Sequence, residues 1–456
     1  MEIFMDLLRS LGSPVDHIDN VTIVGTDPIL PSPFFIGEAG AAIIAVIGYL
    51  ASEIWELKNH EAQKISIEVK DAAIAQRSHE YINVIDGDNQ DLWSPISGFY
   101  QTQDNRWIQL HCNFPHHQQG VISILGCEDT KSSVSDAVKN WQALALEETL
   151  SNLGLCAAIV RTPEEWQEHP QAQYIEALPL IEIIKIGSSK PEPLPMGSRP
   201  LSGINVLDLT RVIAGPVCGK TLAEHGATVM LISSPELPSI LPLVMDTGFG
   251  KLSAYLDLNK NKDKDHLIQL IKKTDIFAQS YRPGGLAERG FSPEDMAAYR
   301  PGIIYISFSA YSHLGPWADR HGYDSLVQSA TGMVYEQSDL NPPKHLPAQS
   351  LDYITGFLAS AGAMEALRRR ALDGGSYLVR VSLAQTAHWF KQLGRVTDDF
   401  SQCTIPTQEQ IKPLLTQTKT TFWNIEHLLP VLKMSETPPY WDRPSCPLGV
   451  DKPKWS

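Results

Sequence analysis

In the second half of the chain, short apolar runs alternate with amphipathic stretches. Between short apolar runs, amphipathic stretches at 264–273 and 292–299 predict helices. The apolar runs predict β-strands: GINVLDL (203–209), TVMLI (228–232), TDIFAQS (274–280) and GIIYISFS (302–309). Strands that alternate with helices form a parallel sheet covered on both faces, so this half predicts an α/β fold. Ligands of such sheets bind at the carboxyl ends of the strands, where the small-residue loop RVIAGPVCGK (211–220) lies.

A carboxylate stands at the start of the next predicted helix. Ala, Leu and Met favour a helix from Gly356 to Arg370, Gly374 supplies its stop, and Tyr377 to Leu383 predicts a strand. Asp352 precedes this run. A carboxylate in that position faces unpaired N–H groups and the positive end of the helix dipole, which favours an ionised side chain of fixed direction. Asp352 is therefore either a helix N-cap or an acid within reach of a ligand.

The first half contains a faint copy of this segment. The shift that places Glu38 on Asp352 places residues 38–73 on residues 352–387 without a gap, and both segments predict a small-residue helix, a turn and a strand. Two interpretations of Glu38 stay open. It is a second reactive carboxylate, or it belongs to a scaffold, because no loop like 211–220 precedes it.

The patterns divide the chain into five regions. The segment SGFYQTQDNRWIQL (97–110) predicts a hairpin and 133–153 predicts an amphipathic helix. The last region is rich in Pro, Thr and Gln and is expected to pack as an arm or to remain partly disordered. The regions are a partial, degenerate repeat of the large domain (1–89), a small α+β domain (90–187), a proline-rich linker (188–200), the large domain (201–398) and a C-terminal arm (399–456).

Composition narrows the classes of partner. The 456 residues are 43% hydrophobic and carry a formal net charge of -15, with a pI near 5.4. This balance argues against nucleic acid and anionic membranes as partners. The longest apolar run, Ala39 to Ala51, is too short to span a bilayer, and the N-terminus has no secretory pattern, so a cytoplasmic protein is expected.

The cysteine and histidine pattern predicts no metal site. The six cysteines are scattered without CxxC spacing, as free thiols are in a reducing compartment. The segment HCNFPHH contains His111, Cys112, His116 and His117 close together, but no second cluster is visible in the sequence to complete a shell.

Six segments in order resemble the family III CoA-transferases, the group of the carnitine-CoA and formyl-CoA transferases. Residues 90–187 are similar to the small domain of the same family, so its domain order looks permuted here. The resemblance implies a Rossmann-like large domain, an interlocked homodimer, acyl-CoA and a small carboxylic acid as substrates, and no tightly bound cofactor. The segments are GINVLDLTRVIAGPVCGKTLAEHGATV, GKLSAYLDL, TDIFAQSYRPGGLAERGF, RPGIIYISFSAYSHLGPW, GYDSLVQSATGM and LDYITG.

The resemblance also implies roles for individual residues. Asp352 matches the carboxylate that attacks the acyl-CoA thioester and forms an acyl anhydride. A carboxylate is suited to this step because it is both a nucleophile and a good leaving group. Ser233, Ser280 and Glu288 depart from the usual family pattern. The positions implied to line the nucleotide of CoA are Arg211, Val212, Ile213 and Ala214, and those implied to lie by its diphosphate are Gly250 and Lys251. A lysine in a polar loop is otherwise simply solvated, so this alternative stays open for Lys251. The other positions implied to bind CoA or its acyl group are Ser280, Arg289 and Tyr323.

Two other functions remain open at this stage. The related α-methylacyl-CoA racemases use a histidine where this chain has Tyr323, although His321 is two residues away. A phenol is a poor base at neutral pH, which favours the transferase. The departures at Ser233 and Ser280 also allow a non-catalytic homologue that binds acyl-CoA or serves as a scaffold, whereas retention of Asp352 opposes it.

Overall fold

The computed structural model describes residues 1–282, 284–338 and 340–455. Its strands are β1 (Val21–Val24), β2 (Ile65–Glu68), β3 (Asn83–Val84), β4 (Gly98–Gln101), β5 (Trp107–Leu110), β6 (Ala157–Ile159), β7 (Glu182–Gly187), β8 (Asn205–Leu209), β9 (Thr228–Ser233), β10 (Lys251–Tyr255), β11 (Ile276–Gln279), β12 (Ile304–Ser309), β13 (Ser376–Ser382), β14 (Leu415–Lys419), β15 (Asn424–Leu428) and β16 (Lys433–Met434).

Its helices are α1 (Glu2–Leu11), α2 (Ile36–Glu56), α3 (Val69–Ala75), α4 (Pro115–Leu125), α5 (Lys131–Val138), α6 (Ala143–Asn152), α7 (Pro163–Gln167), α8 (Pro170–Glu176), α9 (Ala214–Glu224), α10 (Leu241–Thr247), α11 (Asn261–Ile271), α12 (Pro293–Tyr299), α13 (Asp324–Ala330), α14 (Met333–Gln337), α15 (Ser350–Asp373), α16 (Leu383–Gln392) and α17 (Gln408–Ile411).

A seven-stranded sheet organises the second half, in the order β10-β9-β8-β11-β12-β13-β7. The first six strands are parallel, and β7 pairs antiparallel with β13. The strand order reverses between β8 and β11, and open α/β sheets bind ligands at this point. The α/β class and the Rossmann-like sheet predicted from the apolar runs are confirmed.

Close packing of α15 against α9 fixes where the start of α15 lies. A Cβ atom on Gly356 would be 2.5 Å from the carbonyl oxygen of Ala214 and 2.9 Å from the side chain of Val217. Only glycine allows this approach between the two helices. The loop after β8 and the first turn of α15 therefore lie side by side.

The first half contains a helix, strand and helix in the same register as the second half. The shift that superimposes Glu38 on Asp352 superimposes the first residues of α2 and α15, the last residues of β2 and β13, and the first residues of α3 and α16. The N–H of Glu38 donates to Asp27 Oδ2 at 2.8 Å, as the N–H of Asp352 donates to Asp324 Oδ2 at 2.9 Å. A carboxylate from outside the repeated segment thus holds the first turn of each helix.

Helix α2 is longer than the apolar run in the sequence suggested. With 21 residues it is long and apolar enough to cross a membrane, so the expectation that no segment reaches that length was wrong. Of its most apolar 18-residue window, 89% is buried inside the protein, against α15 among other elements. Core packing therefore accounts for its apolar composition.

The small antiparallel sheet, in the order β4-β5-β6, contains the predicted hairpin. The single helix predicted at 133–153 is instead two helices, α5 and α6, separated by residues 139–142. The N–H of Ala143 donates to Asp104 in the hairpin turn at 3.1 Å, which begins a new helix there. Strand β7, expected in the small domain, is an edge strand of the large sheet.

The C-terminal region packs on the first half of the chain. Strand β15 pairs with β14 and β3, and β16 pairs with β2. The indole N–H of Trp441 donates to the carbonyl of Lys220 at 3.1 Å. Ser456, at the end of the predicted arm, lies outside the described residues.

Candidate active site

An open cleft with a volume of about 280 Å³ lies at the point where the strand order reverses. Its walls come from the small domain, from the loops after β8, β11 and β12, and from the starts of α9, α15 and α16. The lining residues are Phe114, His116, His117, Arg211, Val212, Ala214, Gly215, Ser280, Tyr281, Arg282, Phe308, Ser309, Ala310, Ala318, Arg320, His321, Gly322, Tyr323, Asp352, Thr355 and Leu383. One chain therefore supplies every one of these groups.

Asp352 lines this cleft as the third residue of α15 and is only 7% exposed. The N-cap of the helix is Gln349, so the interpretation of Asp352 as an N-cap does not apply. Burial, and then the charge of Asp324, raise the pKa of Asp352 well above its usual value, while a backbone hydrogen bond with Ala214 opposes them. The sequence predicted a carboxylate held ionised by the helix dipole, but loss of solvation outweighs the dipole.

Asp324 holds the first turn of α15 in place. Its Oδ2 accepts the N–H of Asp352 at 2.9 Å, and its Oδ1 accepts from the amide of Gln328. Burial raises the pKa of Asp324 to about 7. The sequence analysis missed Asp324, although it directly follows Tyr323 in GYDSLV, because its partner lies on another helix. Two buried carboxyl groups thus share this end of the cleft.

The loop after β8 brings three of the four predicted nucleotide-contact residues to the cleft. Arg211 donates to the carbonyl of Pro238 and lies over the ring of Phe114, with 5.3 Å from its Cζ to the ring centroid. Val212 has φ +73°, a strained value for a β-branched residue, as is common at functional sites. Ala214 lines the cleft, while Ile213 lines an adjoining recess that also reaches Asp352.

Tyr323 and Ser280 also reach the cleft. The ring of Tyr323 stacks on His111 with centroids 4.1 Å apart, and burial raises the pKa of its phenol. A raised phenol pKa keeps Tyr323 protonated at neutral pH, so it is a hydrogen-bond donor and no base is available there. Ser280 lies next to Tyr281 and Arg282, which also line the cleft. Sequence reasoning did not single out Arg282.

Gly250, Lys251 and Arg289 are not among the cleft-lining residues. Lys251 is 2% exposed, and its Nζ is 2.8 Å from both Asp208 Oδ2 and the carbonyl oxygen of Pro216. The alternative of a solvated loop lysine is therefore wrong, because Lys251 is buried. Its ion pair with Asp208 also leaves its ammonium group unavailable to a phosphate in this structure. Arg289 is exposed and donates to the carbonyl of Leu258.

The two departures from the family pattern beside these residues lie outside the cleft as well. Glu288 is exposed, and Ser233 ends β9 and lines a separate recess.

Glu38, the counterpart of Asp352 in the repeat, is half-buried, and its Oε1 accepts from the N–H of Asp27 at 3.3 Å. Glu38 therefore takes part in the capping contacts of α2.

Histidines and a cysteine gather at the small-domain wall of the cleft. His117, Cys156 and His321 place one potential ligand atom each within 4.8 Å of one another. Cys156 and His321 approach His117 from distant segments, which the local spacing in HCNFPHH did not indicate. His111 and Cys112 do not belong to this group.

A buried polar network anchors the other side of the first turn of α15. The carboxylate of Asp246 accepts from Lys220 and Ser78, each at 2.7 Å, and from the hydroxyl of Tyr353 at 3.1 Å. The Tyr353 hydroxyl also lies 2.9 Å from His79 Nδ1. These contacts join the first half of the chain to the residue next to Asp352. The sequence gives no local sign of them, since the partners lie far apart along the chain.

Comparison with known proteins finds likeness to one family of transferases. Residues 201–411 match the model of CoA-transferase family III. An acyl-CoA transferase of Gibberella moniliformis is 29% identical over 80% of this chain and 72% of its own length. The acetyl-coenzyme A transferase nodX of Hypoxylon pulicicidum is 30% identical over 64% of this chain and 54% of its own length. The human succinyl-CoA:glutarate CoA-transferase is 30% identical over 41% of this chain and 45% of its own.

Solved structures give a partial match. The crystal structure of Rv3272 from M. tuberculosis is 27% identical, with a TM-score of 0.40, over 43% of this chain and 58% of that one. The likeness to the family therefore depends on the sequence comparisons. The match at 201–411, together with the named transferases, shows that this part of the chain is similar to CoA-transferase family III.

Proposed function

We propose that this protein moves CoA from an acyl-CoA to a carboxylic acid, with Asp352 as the nucleophile. The observation that carries the proposal is a carboxylate, 7% exposed, at a cleft beside the strand-order reversal. The named relatives are CoA and acyl-CoA transferases, which supports the same class of reaction here.

In the first step a carboxylate oxygen of Asp352 attacks the thioester carbonyl. The C–S bond breaks, the electron pair leaves with CoA as a thiolate, and Asp352 becomes an acyl anhydride. The thiolate then attacks the aspartyl carbonyl and releases the donor acid, leaving an aspartyl thioester. The acceptor carboxylate repeats these two steps in reverse order and leaves as its CoA thioester, which frees Asp352.

The start of α9 offers donors for the oxyanion of these steps. Ala214 and Gly215 are the first two residues of α9 and line the cleft with Asp352. N–H groups in the first turn of a helix have no partner within the helix. Directed at a developing oxyanion, such groups stabilise the transition state.

The raised pKa of Asp352 is compatible with this role. A carboxylate with little solvent around it is a stronger nucleophile once ionised, because no hydration shell must be removed. Exclusion of water also protects the anhydride from hydrolysis. The raised phenol pKa of Tyr323 argues against a proton-abstracting racemase, in which that position would supply the base.

Trapping of the anhydride tests the proposal. Wild type, Asp352→Asn and the matched control Glu38→Gln are incubated with a panel of acyl-CoAs and hydroxylamine, and analysed by intact-protein and peptide mass spectrometry. We expect a hydroxamate at Asp352 in wild type and Glu38→Gln, and none in Asp352→Asn. Transfer activity retained in a folded Asp352→Asn protein would refute the assignment. Exchange of the α-proton for deuterium without an adduct would indicate a racemase instead.

A further inference from the structure

We propose that His117, Cys156 and His321 form a binding site for Zn²⁺, or a divalent cation of similar softness, in the wall of the cleft. The three side chains come from three separate segments. His117 lies in the first turn of α4, Cys156 directly precedes β6, and His321 lies in the loop between β12 and α13. The fold therefore assembles a ligand set that no local sequence motif encodes.

The distances suit one ion. All three ligand atoms lie within 4.8 Å of one another, and Cys156 Sγ is 3.8 Å from His117 Nε2. In a tetrahedral zinc site with Zn–S near 2.3 Å and Zn–N near 2.0 Å, sulfur and nitrogen lie about 3.5 Å apart. Small rotations of the side chains would bring these atoms to that separation.

The chemistry of the set favours zinc over magnesium or calcium. Thiolate and imidazole are the ligands that zinc prefers, whereas magnesium and calcium take oxygen ligands. Each imidazole binds a metal through a ring nitrogen that carries no proton. On binding, the Cys156 S–H bond would release its proton to solvent, and the sulfur would form the bond to the metal.

The nitrogen of His117 that faces Cys156 has no strong partner there. His117 is 2% exposed, and its Nε2 lies 3.8 Å from the Cys156 sulfur, a distance that gives at best a weak hydrogen bond. A metal ion bound between these two atoms would replace this weak contact. The other ring nitrogen, Nδ1, has no hydrogen-bond partner among the described residues and could donate to a water.

The site would be open to the cleft. His117 and His321 line the same cleft as Asp352, while Cys156 is fully buried behind them. Three protein ligands leave a fourth position, which catalytic zinc sites keep for water or a substrate. The geometry therefore points to a metal that contacts molecules in the cleft.

Metal titration of the full-length protein tests this inference without reference to activity. The reduced, chelator-treated protein is titrated with Co²⁺, and the thiolate-to-cobalt absorption band and the stoichiometry are measured. Competition with Zn²⁺ then gives its affinity. The variants are Cys156→Ser, His321→Asn and the control Cys127→Ser, a half-buried cysteine of the same domain that lies outside the group.

We expect one equivalent of Co²⁺ with a thiolate band in wild type and in Cys127→Ser. Cys156→Ser should lose the band, and His321→Asn should weaken binding by at least about 100-fold, since even loss of an outer-shell partner weakens metal affinity 10–100-fold. If Cys156→Ser fails to fold, His321→Asn decides, because His321 is only half-buried. Absence of stoichiometric binding in wild type, or unchanged binding in folded His321→Asn, would overturn the proposal.

Discussion

Replacing Lys251 by methionine should destabilise the protein strongly and reveal its role as a structural residue. Lys251 Nζ lies 2.8 Å from Asp208 Oδ2, and the two side chains are 2% and 0% exposed. The other oxygen of Asp208 accepts from the N–H and the hydroxyl of Thr210. Lys251→Met would leave Oδ2 buried without its cation, and such a change typically destabilises by about 3–5 kcal/mol.

A second substitution separates the unpaired charge from lost packing. Asp208→Asn in the Lys251→Met background removes the charge and keeps an oxygen for Thr210, so the double variant should recover at least half of the loss. Free energies of unfolding from urea denaturation measure this recovery. CoA affinity of the double variant, measured by calorimetry, should stay within about threefold of wild type, or about 0.7 kcal/mol.

The opposite pattern would refute this reasoning. The Lys251→Met variant could have the same midpoint of urea unfolding as wild type but a much weaker affinity for CoA. This result would show that Lys251 contacts the diphosphate, as the family resemblance implied. A Cβ on Gly219 would lie 2.6 Å from Asp208 Oδ2 and 2.9 Å from Lys251 Nζ. This tight packing over the ion pair leaves Lys251 little room to turn toward a ligand.

Two further substitutions test the first turn of α15. Gly356→Ala should destabilise by about 1–3 kcal/mol and lower kcat more than it raises KM, because its Cβ would press on the Ala214 carbonyl beside Asp352; an unchanged urea midpoint would contradict this. Asp324→Asn should move the acidic limb of kcat/KM to lower pH, since Asp324 raises the pKa of Asp352 and attack requires the ionised form. Asp324 has its pKa raised from 3.8 to about 7, so its contribution to stability is greatest below pH 3.8 and declines as pH rises to about 7. Asp324→Asn should flatten this part of the stability profile, and an unchanged profile would contradict the coupling.

Local pattern in the sequence was enough to predict five of the seven strands of the large sheet and the position of Asp352 at the start of a helix. The apolar runs are long and regular, and a helix rich in small residues, stopped by Gly374, has few alternatives. These features depend on residues that are neighbours in the sequence. For the same reason the hairpin at 97–110 could be predicted from the residues of its strands and turn.

The other features depend on contacts between distant segments. Lys251 follows a glycine, a context typical of an exposed loop, and only its pairing with Asp208 on another strand shows that it is buried. The break at 139–142 depends on Asp104 in a different element. The hydrogen bond between Asp324 and Asp352 depends on the packing of α13 beside the start of α15, and not on their neighbours in the sequence.

The origin of the cleft walls has a consequence for how activity depends on protein concentration. Residues of the small domain, such as Phe114, and of the large sheet, such as Arg211, face each other within one polypeptide. A site shared between two subunits is lost on dilution, when the subunits separate. Constant specific activity on dilution into the nanomolar range would show that the walls supplied by one chain are sufficient, and a loss of activity would show that a second copy completes the site.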